Sequence, residues 1–200
     1  MKNIKIVLLA GGTCSGKTSI ANDIIKYFPN QKIKIIPQDA FYKNLPEGED
    51  PNTYNFDHPN AFDFDLMYKV FLNVKNGIET EYPIYDYITH QRTQETVKIS
   101  SCDILIFEGI LCLYYEKIRE MTNIKVFVDT PADIRLIRRI QRDTKKRGRK
   151  LECILEQYQN TVSMSHEMFV EPTKKYANII IPRGRENKTG IKAIVSLLQN

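Results

Sequence analysis

The sequence is most informative first in what it lacks. No stretch approaches the roughly 18 to 20 apolar residues needed to cross a bilayer. Its four cysteines, Cys14, Cys102, Cys112 and Cys153, form no CxxC pair, and there are only three histidines, so nothing suggests a structural zinc site. Internal repeats, low-complexity segments and Gly/Ser linkers are missing too, which argues against a second domain. The opening Met1-Lys2-Asn3-Ile4-Lys5 and the apolar run after it faintly imitate an export signal. That run is short and flows into Gly11-Gly12, so it reads as a buried first strand. Scattered thiols without such a signal lead to the expectation of a reducing compartment, the cytoplasm.

What is present is that of an ordinary globular chain of 200 residues, 42% hydrophobic and 26% charged. The net charge of +5 is unevenly spread. Residues 135–150 hold nine of the 29 Lys and Arg against one acid, Asp143, so the remainder is mildly acidic. A concentrated cationic element suggests a polyanionic partner, either a nucleic acid or a triphosphate.

Short apolar runs at Ile4–Leu9, Ile33–Ile36, Ile104–Phe107, Ile124–Val128 and Ile179–Ile181 read as strands covered on both faces. Helical spacing appears from Lys17 to Phe28 (Ile20, Ile24, Phe28 inward) and from Phe64 to Val74 (Leu66, Val70, and Val74 or Phe71 inward). It appears again at about 132–146 and 151–170, and from Thr189 onward. Residues 38–62 read as loop, and the Tyr- and Thr-rich stretch 79–99 as a β-ribbon. Strands alternating with helices predict a parallel α/β sheet, with ligands beyond the carboxyl ends of the strands.

Gly11-Gly12-Thr13-Cys14-Ser15-Gly16-Lys17-Thr18 is a full GxxxxGK[ST] between strand and helix, with Ser19 next in the helix. Such a loop turns backbone N–H groups around phosphate oxygens; Lys17 reaches the outer phosphates and the Thr18 hydroxyl suits Mg²⁺. Glu108, at the end of the Ile104–Phe107 strand, is the expected acid for the metal, held partly through water; the usual residue there is Asp. Asp39, after the second strand, is placed to accept a proton from an alcohol, although an isolated Asp in that position is often a turn or cap. The stretches 55–63 and 83–92 combine aromatics with acids and histidine, suited to a flat ring bearing hydroxyls or to plain packing. Arg135, Arg138, Arg139 and Arg142 fall on one helical stripe, and Arg147-Gly148-Arg149 forms a hinge-like break. A solvated basic helix and a nucleic-acid face are the bland alternatives, and a phosphate-covering lid is the reading that fits the glycine loop. A guanine switch would need NKxD; Asn187-Lys188-Thr189-Gly190 lacks the acid.

Taken together, the chain closely resembles the uridine kinase (uridine–cytidine kinase) family. The marks are Gln38-Asp39-Ala40-Phe41-Tyr42, Phe56-Asp57-His58-Pro59, Pro83-Ile84-Tyr85-Asp86-Tyr87 with His90 and Arg92, Phe107-Glu108-Gly109, Arg147-Gly148-Arg149, Gln157-Tyr158 and Glu171-Pro172-Thr173-Lys174. The resemblance implies one P-loop kinase domain over 1–200, with a five-stranded parallel sheet in the order 2-3-1-4-5. A β-hairpin at about 79–99 and an Arg-rich lid at about 139–157 go with it. It implies transfer of the γ-phosphate of ATP or GTP, with Mg²⁺, to the 5′-hydroxyl of uridine or cytidine in pyrimidine salvage. Asp39 is then the base, with Lys17, Arg142 and Arg147 at the transferred phosphate and Glu186 near the adenosine end. Tyr42, Phe56, Asp57, Tyr85, Tyr87, His90, Arg139, Arg149 and Gln157 line the nucleoside site. A homotetramer without nucleic-acid or membrane partners is the family expectation. The chain departs from the usual pattern with Met164 for Pro and Asn178 for Asp, and residues 43–55 are shorter than in many relatives. A relative acting on a sugar phosphate is the alternative reading.

Overall fold

A computed structural model describes residues 4–199. The first three residues of the signal-like opening lie outside that range. Five parallel strands form the main sheet: β1 (Lys5–Ala10), β2 (Ile33–Pro37), β5 (Ile104–Glu108), β6 (Ile124–Asp129) and β7 (Ile179–Pro182). Their order is β2-β5-β1-β6-β7, which is 2-3-1-4-5 once the hairpin strands are left out of the count. The hairpin, β3 (Thr80–Asp86) and β4 (Gln91–Ile99), is a separate antiparallel sheet.

Strand β1 shows why the interior runs are apolar throughout. Ile6, Leu8 and Ala10 enter one core and Val7 and Leu9 the other, because side chains alternate across a sheet covered on both faces. Helices α1 (Lys17–Ile25) and α7 (Lys188–Gln199) pack on the Val7 side through Ile20, Ile24, Ile191 and Ile194. On the Leu8 side lie α2 (Phe64–Lys75), the hairpin base and Phe107. A short helix α3 (Glu116–Glu120) precedes β6, and α4 (Ala132–Arg147) follows it.

Some boundaries differ from expectation. Helix α1 stops at Ile25 rather than Phe28, because Tyr27 and Phe28 bond back three residues and tighten the last turn; Phe28 is still buried. In α2, Met67 takes the fully buried place expected for Leu66, beside Val70, Phe71 and Val74. The expected helix 151–170 is continuous but not uniform. It runs as α5 (Leu151–Gln157), a π stretch (Tyr158–Val162), one turn α6 (Ser163–Ser165) and a second π stretch (His166–Val170). Met164 lies in the turn between the two wide segments.

The carboxyl ends of β1, β2, β5 and β6 converge on one edge. They deliver Gly11, Asp39, Glu108 and Thr130 there, which fixes where a ligand can sit.

Candidate active site

The glycine loop leaves β1 with Gly11 at φ 141°, where any side chain would run into the Val128 carbonyl. Gly16 caps α1 in the left-handed region with no side-chain bond to the helix, and the first turn carries no acid. The N-terminal N–H groups of α1 are therefore open to an anion. Cys14, a non-glycine residue at φ 57°, holds the bend, at a cost of order 1 kcal/mol. The Lys17 ammonium donates to the carbonyls of Gly11 (2.9 Å) and Gly12 (3.0 Å), keeping one donor for a ligand. Beneath it the Ser15 hydroxyl is buried without a partner, and Thr130 donates to the Ser15 carbonyl at 2.9 Å.

A cavity of about 820 Å³ opens over this loop. Lys17, Thr18, Ser19, Asp39, Glu108, Arg142 and Glu186 line it, joined by Asn22, Lys146, Arg185 and Lys188, which sequence reasoning did not single out. Thr18 donates its hydroxyl to Glu108 at 2.7 Å, so the two candidate metal residues already face each other. Burial raises the Glu108 pKa above the usual carboxylate value, against the pull of Lys17 and Thr18. Glu186 accepts from Arg138 at 3.2 Å at the far side.

A second cavity of about 730 Å³ adjoins the first, and Asp39, Arg142 and Lys146 line both. Tyr42, Phe56, Asp57, Tyr85, Tyr87, His90, Arg139, Arg149 and Gln157 all line it, so the structure gathers in one place residues that are up to 115 positions apart in sequence. Tyr42 stacks on Phe62 (4.4 Å) and meets Phe56 edge-on (5.8 Å), while Phe56 stacks on His90 (5.1 Å). His90 sits at the hairpin turn with φ 56°. Burial lowers its pKa, and the charge of Arg149 adds to this, so the ring is neutral near pH 7. Burial raises the Asp57 pKa, with Arg139 pulling the other way.

Asp39 lies on a 3-10 turn directly after β2 (Gln38–Phe41), and Tyr87 donates its hydroxyl to Asp39 Oδ2 at 3.0 Å. The turn is held from the hairpin: Arg92 donates to the carbonyls of Tyr42 (2.7 Å) and Phe41 (3.2 Å) and pairs with Asp63 (3.2 Å). Asp63 in turn caps α2 through Leu66 N–H.

The arginine stripe is not a solvated face. Arg135 and Arg139 are buried. Arg135 donates to the Thr130 carbonyl and lies under Gly12, where a Cβ would collide with its guanidinium. Arg139 bonds Thr13 (3.2 Å) and Gln157 (2.8 Å), and Arg149 bonds the same Gln157 oxygen at 2.7 Å. Arg147, expected beside the triphosphate, instead lines the second cavity, its guanidinium 4.6 Å from the Tyr87 ring centre. Sequence reasoning named Asp143 but gave it no role; it is fully buried among Arg139, Arg142, Arg147 and Arg149. Burial works to raise its pKa, but the Arg142 hydrogen bond and the surrounding charges win and hold it low. Its signal was visible as the one acid in the basic run.

This geometry agrees with what the chain is similar to. It matches the profile of the "Phosphoribulokinase / Uridine kinase family" over residues 6–190. A uridine kinase of Halalkalibacterium halodurans is 45% identical, covering 97% of this chain and 93% of that protein. A uridine kinase of Staphylococcus carnosus is 42% identical over 100% of this chain and 97% of its own length. Among solved structures, phosphoribulokinase from Rhodobacter spheroides superposes with a TM-score of 0.69 at 16% identity, covering 91% of this chain and 71% of that one, a likeness of fold. By end-to-end identity and a profile that spans nearly its whole length, the chain belongs to the phosphoribulokinase/uridine kinase family.

Proposed function

We propose that this chain transfers the γ-phosphate of ATP, or of GTP, to the 5′-hydroxyl of uridine or cytidine. The observation that carries this reading is Asp39, the carboxylate among the three side chains that line both a phosphate-type cavity and an aromatic one. An acceptor alcohol in the second cavity meets a donor phosphate from the first only at that shared lining. The names of the relatives at 42% and 45% identity support the choice of nucleoside.

The residues fit both small ligands. Open N–H groups at the α1 terminus, the free donor of Lys17 and the cationic rim of Arg142, Lys146 and Lys188 suit a triphosphate. Thr18 and Glu108 are hard oxygen donors side by side, suited to Mg²⁺. Among the described residues no group of three His, Cys, Asp or Glu could hold a metal, so Thr18 and Glu108 would hold the cation only together with donors from a bound nucleotide. Bound there, magnesium would neutralise phosphate charge.

The protein's own part is positioning and proton transfer. Asp39 accepts the proton of the alcohol as the oxygen attacks phosphorus in line. Lys17 and Arg142 stabilise charge on the transferring group. Asp57 accepts from the ribose hydroxyls, Tyr42, Phe56 and Tyr85 hold the flat base, and neutral His90 meets its polar edge. Arg139 and Arg149, fixed by Gln157, and Arg147 at the end of α4, seated over the Tyr87 ring, close the space as a lid that excludes water. The test is ADP release across uridine, cytidine, ribulose 5-phosphate and pantothenate. Turnover confined to the two nucleosides supports the reading; turnover with the sugar phosphate instead overturns it.

A further inference from the structure

Three elements meet at the Tyr87 side chain. Its hydroxyl donates to the Asp39 carboxylate at 3.0 Å, its ring meets Tyr85 edge-on at 5.6 Å, and the Arg147 guanidinium sits over its face at 4.6 Å. The hairpin thus reaches across the second cavity and places an O–H group on the side chain that divides the two cavities. A phenol is an alcohol in hydrogen-bonding terms: one donor on a carbon-bound oxygen. Burial and the Asp39 charge raise the Tyr87 pKa, so the group stays a donor throughout the neutral range.

We propose that the Tyr87 hydroxyl stands in for the acceptor alcohol, holding Asp39 until a nucleoside displaces it and so denying the carboxylate to water. The inference rests on Asp39 being the base. Left unguarded, Asp39 takes a proton from water while the water oxygen bonds to the γ-phosphorus. The bond to the ADP oxygen breaks, and ADP and inorganic phosphate form. The guard is a positioning device: it acts through Asp39 and leaves when the substrate arrives. Arg147 holds the ring at this station by its cation–π contact, which ties the guard to the end of α4.

The test is Tyr87→Phe, which keeps the ring and its contacts and removes only the hydroxyl. Hydrolysis of Mg-ATP without nucleoside should rise about tenfold over the unsubstituted enzyme, a single hydrogen-bond effect on a general base. The double variant Tyr87→Phe/Asp39→Asn should fall back to the unsubstituted level or lower. The KM for uridine should drop, since the competitor for Asp39 is gone. Hydrolysis in Tyr87→Phe at or below the unsubstituted rate overturns the proposal, as does a rise that survives Asp39→Asn. A merely structural Tyr87 would lower activities and could not raise hydrolysis. The hydrolysis comparison uses no nucleoside, so it stands apart from the substrate panel: absence of uridine and cytidine turnover would sink the substrate reading alone.

Discussion

Arg142 donates its Nε–H to the carboxylate of its chain neighbour Asp143 at 2.7 Å, and around that pair the whole cationic end of α4 is organised. Arg139, Arg147 and Arg149 close on the same carboxylate at 3.7, 3.7 and 3.9 Å. Four guanidinium groups this near would repel one another without a buried anion among them. Asp143→Asn keeps the shape and removes the charge. We expect kcat/KM for the nucleoside to fall about 100-fold, a loss of ~2.7 kcal/mol of transition-state stabilisation. Added salt should recover part of it by screening. Steady-state kinetics at two ionic strengths give the answer; an unchanged kcat/KM would show the hub to be dispensable.

Asp39→Asn removes the proton acceptor and keeps a hydrogen-bonding side chain of the same size. Turnover should fall about 100- to 10,000-fold, the usual worth of a positioned base. ATP affinity, measured by calorimetry, should change little, because the loop contacts lie on Lys17 and α1. Turnover near the unsubstituted rate would remove Asp39 from the role of base.

Binding of the nucleoside should depend on pH through Asp57. Its pKa is raised by burial above the ordinary aspartate value of 3.8, so it gains a proton at a higher pH than an exposed aspartate. Only the ionised form accepts two ribose donors. Affinity for uridine measured without ATP should therefore be full well above the raised value and weaken as pH falls through it, by about 10- to 100-fold. Asp57→Asn should bind weakly with no such acid limb; an unaltered limb in that variant would assign it to another group.

Stability has its own acid-sensitive element. Asp23 in α1 takes hydrogen bonds from Arg185 (2.8 and 3.1 Å), Lys26 (2.8 Å) and Lys188 (3.2 Å), which tie α1 to the loop after β7 and to the start of α7. The Arg185 bond foremost, then that of Lys26, hold its pKa far below 3.8. A carboxylate depressed in the folded state contributes stability that is complete above its unfolded value and is lost as pH falls towards the native one. Asp23→Asn should lower stability at pH 7 by about 1 to 2 kcal/mol, modest because the cationic heads are solvent-exposed. The gap between the two proteins should narrow below pH 3.8 in denaturant titrations. A gap that is constant with pH would mean that the charge contributes nothing.

How much of this could be read from the chain depended on the range of the determining interactions. The glycine loop and the strand-end residues Asp39 and Glu108 were legible because strand, turn and helix signals are local and contiguous there. The nucleoside-type residues were named through family resemblance; their convergence on one cavity belongs to tertiary structure, since Tyr42 and Gln157 line it from distant parts of the chain. The arginine run gave charge without address. Helical spacing put Arg135, Arg138, Arg139 and Arg142 on one stripe, but only packing against the glycine loop and Gln157 buried two of them and turned Arg147 to Tyr87. Asp143 was given no role because a lone acid in a basic segment looks like surface until its burial is known. The π turns after Gln157 carry no sequence periodicity of their own, for a wide turn shifts a helix face without altering its composition.

Among the described residues the hairpin shares no backbone ladder with the main sheet; its Tyr82 ring lies against Phe41 at 6.1 Å and its Tyr85 ring against Tyr42 at 5.2 Å. Rings can slide at little expense, but the Arg92 bonds to the Phe41 and Tyr42 carbonyls must break before the ribbon leaves that turn. The awning over the sugar side and the turn that carries Asp39 are thus one piece, so displacing the ribbon would carry the proton acceptor away with it.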